Sequence, residues 1–363
     1  MRHAIIPLLV AFATALIPHQ AAAESVVNVA NWSDYIDQKA IEDFTRETGI
    51  RVVYDTYDSN ETLETRLLAG GTGYDLVVPS ATFLQRQIKA GVYRKLDKTL
   101  IPNLKGIAPE ISAKLNAYDP GGEYSVDYMW FTTGIAYNTK KIKERLGDQA
   151  MDTWDIVFKP EIMRKIADCG VYFLDSPEDM LAIAARYLGM SPDLKDAGSI
   201  SRAASVLSGV RRYVRKFHSS EYINALANGD ICLAVGWAGD SFQAQNRARE
   251  AGGGVDINFV IPREGTLMSL DTIAIPKDAQ HIAEAHKFID FMLRPEIAAR
   301  NTIVTNFANP VTASKERLPP SILANKGIYP DEATMKKLFT VSSKDQDIQK
   351  AITREWSRVK LGR

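Results

Sequence analysis

The sequence predicts an α/β fold of two hinged lobes, each built on a doubly wound, mostly parallel β-sheet. Once a predicted leader over residues 1–23 is removed, 340 of the 363 residues remain, more than one hydrophobic core usually serves. Apolar runs of strand length alternate with helical periodicity over residues 26–31, 38–48, 51–57, 61–69 and 74–78. This β-α-β-α-β rhythm is typical of parallel sheets covered by helices.

A second set of elements continues the alternation toward the C-terminus. We expect strands over 170–174, 231–235, 257–261 and 270–275, and helices over 177–189, 221–228, 241–251 and 282–293. The chain shows no internal repeat and no low-complexity linker. Two α/β lobes connected by crossing segments are therefore expected.

The first 23 residues have the pattern of an export signal. Arg2 supplies a positive start, residues 5–17 are apolar, and Ala21, Ala22 and Ala23 form a small-residue cleavage site. A membrane anchor is the alternative, but Pro18 ends the apolar run too early for a spanning helix. The mature chain is expected to be exported and soluble.

Charge and cysteine content narrow the function classes. Because Arg2 falls in the leader, the mature chain carries 43 basic against 44 acidic residues, a balance that disfavours nucleic-acid binding. Cys169 and Cys232 form an even pair, which in an oxidising compartment indicates one disulfide worth roughly 4 kcal/mol. A pair of buried free thiols is the alternative. Two cysteines without partner ligands predict no metal site.

Acidic, hydroxyl and aromatic side chains follow four predicted strands, at residues 32–35, 79–80, 175–179 and 236–240. In open α/β sheets, ligands bind beyond the carboxyl ends of strands. None of the four segments contains Arg or Lys, so an anionic ligand would find no charge partner. Carboxylates with aromatic faces suit an organic ammonium.

Each of these residues also has a purely structural interpretation. Four of them precede predicted helices and could be simple N-caps: Asp34, Ser80, Ser176 and Asp240. Asp179 could offset a helix dipole, and Trp32 and Trp237 could be ordinary core residues. The repetition of the same chemistry at four strand ends favours a binding site over these alternatives.

Enzyme signatures are missing from the sequence. The histidines after the leader are His218, His281 and His286, and the last two are spaced by five residues, which does not align them for a metal. No nucleophile elbow and no H-E-x-x-H motif occur. A binding protein without catalysis and without a cofactor is therefore expected.

Several longer segments carry a family resemblance. They are NWSDYI (31–36), YDLVVPS (74–80), YMWFTTGIAYN (128–138), FHSSEYINALANGDICLAVGWAGD (217–240), RPEIAARN (294–301) and NKGIYP (325–330). Across essentially the whole mature region the chain resembles the periplasmic putrescine- and spermidine-binding proteins of bacterial ATP-driven transporters, with the putrescine-type branch most similar. The resemblance implies a type II solute-binding fold in the periplasm, whose cleft traps a polyamine for an inner-membrane permease.

The resemblance also implies the residues of the site. Those that match the family pattern are Trp32, Ser33, Asp34, Tyr35, Ser80, Trp237, Asp240 and Asp271. It implies in addition that Cys169 and Cys232 form the disulfide of the putrescine-type branch.

Three positions depart from the family pattern. The second-lobe acid, a Glu in the family, aligns with Asp179, beside which Glu178 is a substitute. Ser269 replaces an aromatic residue two positions before Asp271, and Phe307 replaces a Tyr. The loss of a ring at Ser269 predicts a roomier pocket, unless Met268 or Leu270 fills the space.

The lobes are expected to comprise residues 24–130 with 258–303, and 131–257 with 304–363. They are expected to close around the amine in a monomeric protein. Three alternatives stay open: a binder of another ligand on the same fold, a periplasmic amine enzyme, and a chemosensory ligand-presenting protein.

Overall fold

The computed structural model describes residues 25–362. The predicted leader, residues 1–23, lies outside the described residues. Within residues 25–362, no helix combines the length and the apolar character needed to cross a membrane.

Nine strands form the sheet of the described chain. They are β1 Val26–Trp32, β2 Arg51–Tyr57, β3 Leu76–Val77, β4 Ser125–Asn138, β5 Val171–Phe173, β6 Lys216–Phe217, β7 Leu233–Trp237, β8 Ile257–Val260 and β9 Met268–Ala274. Their order is β2-β1-β3-β9-β4-β7-β5-β6, and β8 pairs with β4. β1 is parallel to β2 and β3, and β5 is parallel to β6 and β7. The predicted α/β class is therefore confirmed.

The long strand β4 joins the two groups of parallel strands. Residues 125–132 pair with β9, whereas residues 133–138 pair with β7 and β8. All of these pairs are antiparallel, so the described sheet has fewer parallel pairs than the sequence pattern alone indicates. Nearly every residue of β4 is buried, so its sequence lacks the two-residue alternation that reveals a half-exposed strand.

The pairing of strand β8 concerns one expected lobe boundary. The sequence places residue 258 at the return to the first lobe, but β8 pairs with the second half of β4. After Val260 the chain leads into β9, which pairs with the first half of β4.

Helices cover the sheet. The described α-helices are α1 Gln38–Thr48, α2 Asn60–Ala69, α3 Ala81–Lys89, α4 Pro109–Leu115, α5 Thr139–Leu146, α6 Asp155–Phe158, α7 Pro160–Ile166, α8 Pro177–Tyr187, α9 Ala197–Val210, α10 Tyr222–Ala227, α11 Ala238–Ala251, α12 Ile282–Met292, α13 Pro295–Thr305, α14 Pro320–Leu323, α15 Glu332–Met335 and α16 Gln346–Leu361. Helix α1 has its predicted bounds because Asp37 caps its first turn and Gly49 ends it with a left-handed φ of 73°. Phe44 of α1 packs against Phe288 and Phe291 of α12, at ring distances of 5.0 and 5.4 Å.

Two elements differ from the sequence prediction in ways that affect the site. Strand β7 extends through Trp237, two residues beyond its predicted end, and α11 begins at Ala238 instead of Ser241. Helix α16 was not predicted. It packs on α8 and α9, where Trp356 donates its indole N–H to Asp175 at 2.9 Å.

The two cysteines form a disulfide, as predicted. Cys169 and Cys232 precede the parallel strands β5 and β7, which places their Cα atoms 5.5 Å apart. The bond ties together the starts of two strands whose opposite ends reach the candidate site.

Candidate ligand-binding site

A cavity lies where the carboxyl ends of β1, β3 and β7 face each other. It contains about 440 Å³ of space unoccupied by atoms, part of it continuous with solvent. It is lined by Trp32, Ser33, Tyr35, Asp58, Ser80, Phe131, Ser219, Ser220, Ile223, Trp237, Asp240, Asp271 and Phe307. Eight of the twelve residues singled out from the sequence line this first cavity, because strand ends from both groups meet there.

Aromatic rings form the walls of the first cavity. Trp32 at the end of β1 meets Trp237 at the end of β7 edge to face, with 5.8 Å between ring centroids. Phe131 contacts Phe307 at 5.1 Å and Trp237 at 5.9 Å, and Tyr35 contacts Phe307 at 4.6 Å. Edge-to-face packing leaves ring faces available for a cation. The two tryptophans are therefore both packed and cavity-lining.

Asp271 brings a buried carboxylate to the first cavity. It lies on β9, is only 2% exposed, and accepts a hydrogen bond from the Ser80 hydroxyl at 2.6 Å. Ser80 is at the N-cap position of α3 but makes no capping bond, so its hydroxyl serves Asp271 instead. Burial raises the pKa of Asp271 to about 7, and the hydrogen bond from Ser80 opposes that shift.

Asp240 brings the second carboxylate, from the opposite side. It lies inside the first turn of α11, whose N-cap is Trp237, so the interpretation of Asp240 as a simple cap is wrong. The Tyr222 hydroxyl donates to Asp240 Oδ2 at 2.7 Å and accepts from the Trp237 backbone N–H at 3.0 Å. Burial raises the pKa of Asp240 to about 7, which the bond from Tyr222 opposes.

A second cavity adjoins the first and contains about 420 Å³ of unoccupied space. It is lined by Trp32, Asp58, Ser59, Asn60, Glu61, Ser80, Phe83, Phe131, Asp175, Ser176, Glu178, Asp179, Ser219, Trp237 and Ser269. Three further residues singled out from the sequence, Glu178, Asp179 and Ser269, are in this second cavity. Because the two cavities share six lining residues, they are neighbouring compartments of one cleft.

Asp179 is held by three donors. The hydroxyls of Thr133 and Ser176 and the indole N–H of Trp237 all donate to its carboxylate, the last at 3.2 Å. Ser176 also caps α8 through the Asp179 N–H, as expected for a residue before a helix. Burial raises the pKa of Asp179, and these hydrogen bonds oppose the shift. Asp179 therefore fixes the Trp237 ring in addition to adding charge.

Glu178, the neighbour of Asp179 in the sequence, also lines the second cavity. Its side chain accepts from the Thr82 hydroxyl on α3 at 2.8 Å, so the bond runs between α8 and α3. Burial raises the pKa of Glu178 to about 7, opposed by the bond from Thr82.

Asp34 makes an ion pair outside the two cavities. Its side chain is 45% exposed and pairs with Arg247 of α11 at 3.0 Å, and Asp34 lines neither cavity. It is not a helix cap either, since Asp37 caps α1 and Asp34 has a left-handed φ of 55°. The Asp34 carbonyl accepts from Gln243, so this loop contacts α11 twice.

Five residues of the first cavity were not identified from the sequence: Asp58, Phe131, Ser219, Ser220 and Ile223. Asp58 directly follows β2, so the strand-end rule would have found it had it been applied to that strand. Phe131 lies within a buried strand and carries no local signal.

Comparisons with known proteins agree with this geometry. The family model for bacterial extracellular solute-binding proteins matches residues 39–328. The putrescine-binding periplasmic protein SpuD of Pseudomonas aeruginosa is 48% identical over 95% of this chain and 94% of its own length. The putrescine-binding periplasmic protein PotF of Escherichia coli is 45% identical over 94% and 93%.

Among solved structures, a putative spermidine/putrescine ABC transporter from Listeria monocytogenes superimposes with a TM-score of 0.83. It is 29% identical and covers 93% of this chain and 100% of that chain. The prediction of a binding protein instead of an enzyme agrees with these relatives. The chain thus belongs to the family of bacterial extracellular solute-binding proteins.

Proposed function

We propose that this protein binds a polyamine, with putrescine first, in the cleft between its lobes and delivers it to the permease of an ATP-driven transporter. The observation that carries the proposal is the pairing of Asp240 and Asp271 in one aromatic-walled cavity. Neither cavity has a Lys or Arg among its described lining residues, so no basic side chain of the lining faces Asp240 and Asp271. A buried carboxylate without a cation is costly, and an alkyl-ammonium supplies that cation.

The ligand-binding residues that we propose come from both cavities. An ammonium at Asp271 and Ser80 and another at Asp240 would place the intervening methylenes against Trp32 and Trp237. A longer amine would reach the second cavity and its acids. The relatives of this chain, which include putrescine-binding and spermidine/putrescine-binding proteins, support this ligand class.

We infer that domain closure is the mechanism. The proposed lobes are residues 24–130 with 261–303, and 131–260 with 304–363, after the adjustment at β8. Contacts already cross the cleft between Asp34 and Arg247 and between Thr82 and Glu178. A ligand shifts the open–closed equilibrium only through contacts it gains in one state, and Asp240 and Asp271 come from opposite lobes.

The proposed location is the periplasm, where the relatives named above act and to which the predicted leader would direct the chain. We propose that the protein is a monomer that meets its permease partner with both lobes closed. Size-exclusion chromatography with light scattering tests the monomer: a mass near 40.2 kDa less the leader is expected.

The decisive experiment is calorimetric titration of the purified protein with putrescine, spermidine and agmatine. Sucrose, sulfate and glutamate serve as negative ligands. We expect binding of at least one amine and a raised melting temperature with that amine only. Binding of a sugar or an anion without any amine would contradict the proposal.

A matched pair of variants connects the binding to the site. Asp271→Asn removes the buried charge and should weaken binding by at least about 2 kcal/mol. Asp148→Asn removes a charge whose side chain is 95% exposed and should leave binding unchanged. If the two variants bind the amine equally well, the amine does not bind at Asp271.

A further inference from the structure

Phe131 is the one ring of β4 that borders both cavities. It is 7% exposed and packs against Phe307 from the first cavity and against Trp237, which lines both. Its direct cross-strand partner on β9 is Ser269, which lines the second cavity. The two side chains therefore belong to one face of the sheet at the border of the two cavities.

The size of the side chain at position 269 limits the size of the side chain that fits at position 131. Directly opposed side chains on antiparallel strands have Cβ atoms about 4.5–5.5 Å apart and share one space. The small Ser269 side chain leaves that space to the Phe131 ring. Met268 and Leu270 do not fill it, because both are 2% exposed core residues that line neither cavity.

We propose that Phe131 is a specificity-determining residue of the amine site, and that the pair Phe131 and Ser269 sets the length of amine the cleft accepts. The inference rests on the proposed function and deepens it. The ring supplies a cation–π face for an amine held at Asp240 and Asp271. The same ring narrows the passage toward Glu178 and Asp179, so it favours a short diamine over a longer amine.

The pairing predicts that the ring can be moved to the other strand. Four proteins are compared by calorimetry with putrescine and spermidine as probes: wild type, Phe131→Leu, Phe131→Ala, and the exchange Phe131→Ser with Ser269→Phe. Phe131→Leu keeps apolar volume without a π-face and should weaken putrescine binding about 2- to 30-fold. Phe131→Ala should shift the affinity ratio toward spermidine. The exchange variant should return the ratio to within about threefold of wild type, because cross-strand partners share one space.

Phe242→Ala is the matched control. Phe242 is also 7% exposed, lines neither cavity and packs on Phe259, so its loss should lower the melting temperature without changing the affinity ratio. If the exchange variant folds but has the same affinity ratio of putrescine to spermidine as Phe131→Ala, the inference is overturned while the proposed function stands. Unchanged putrescine affinity in Phe131→Leu overturns it as well. A wild-type protein that binds neither amine overturns both.

Discussion

Amine binding should depend strongly on pH because the acids of the cleft are held partly protonated when no ligand is present. Burial raises the pKa values of Asp240 and Asp271 to about 7 each. An ammonium favours the carboxylate form, so the bound state has lower pKa values and binding releases protons. Affinity should therefore be highest above pH 7 and fall as the pH drops below 7.

The size of the effect follows from these pKa values. At pH 5 an acid with a pKa of about 7 costs roughly 2.7 kcal/mol to ionise, or about a hundredfold in affinity. Two such acids give a loss of up to about 10⁴-fold between pH 8 and pH 5. At pH 7 each acid is about half ionised, so putrescine should release about one proton in total. Spermidine should release more if it reaches Glu178, whose pKa burial also raises to about 7.

The assay is isothermal titration calorimetry at pH 5, 6, 7 and 8, with two buffers at each pH whose different ionisation enthalpies report the released protons. Asp271→Asn should remove one titrating group and about halve the slope of log affinity against pH. An affinity that changes less than threefold from pH 8 to pH 5, or an Asp271→Asn variant with the wild-type slope, would refute the reasoning.

Three other predictions concern single side chains. Tyr222→Phe removes the hydroxyl that donates to Asp240 and should weaken amine binding roughly tenfold or more. Tyr93→Phe is the control, because the Tyr93 hydroxyl bonds Gln87 away from both cavities, and its amine affinity should equal that of wild type. Calorimetry of both variants tests this prediction. Arg247→Ala breaks a half-exposed pair with Asp34, so stopped-flow fluorescence should show faster amine release but an affinity within about fivefold of wild type. Burial raises the pKa of Asp127 to about 7 and leaves its Oδ1 without a described partner. In the unfolded chain this acid ionises near pH 4, so the Asp127 carboxyl lowers the free energy of unfolding as the pH rises from 4 to 7. In denaturant titrations, Asp127→Asn should raise the free energy of unfolding above that of wild type by up to about 4 kcal/mol at pH 8. At pH 4 the two proteins should be equally stable.

The strand-end residues were predictable because the rule that locates them is local. The ends of β1, β3 and β7 can be recognised from the sequence without knowing which strands they pair with. This local pattern was enough to identify Trp32, Ser80 and Trp237 as candidate site residues. The α/β class was predictable for the same reason, since alternation of strand and helix periods is written along the chain. Capping residues such as Asp37 and Gly49 likewise fixed the ends of α1.

The roles of Asp34, Asp179 and Phe131 were decided only by the tertiary structure. Asp34 faces Arg247, a residue 213 positions later that comes from α11. The Asp179 carboxylate accepts hydrogen bonds from Thr133, Ser176 and Trp237. These three donors come together because β4 pairs with β7.

The sequence by itself therefore determined the fold class, the disulfide pair and the acidic, aromatic character of the cleft. Only the tertiary structure decided which donors bond the carboxylate oxygens of the cleft and that the Phe131 ring lies opposite Ser269. The physical reason is that strand periodicity and capping depend on neighbours along the chain, whereas Phe131 meets Ser269 through pairing of strands 138 residues apart. Such a pairing is set by the packing of the whole sheet, and a fully buried strand such as β4 carries no alternation from which its partners could be read.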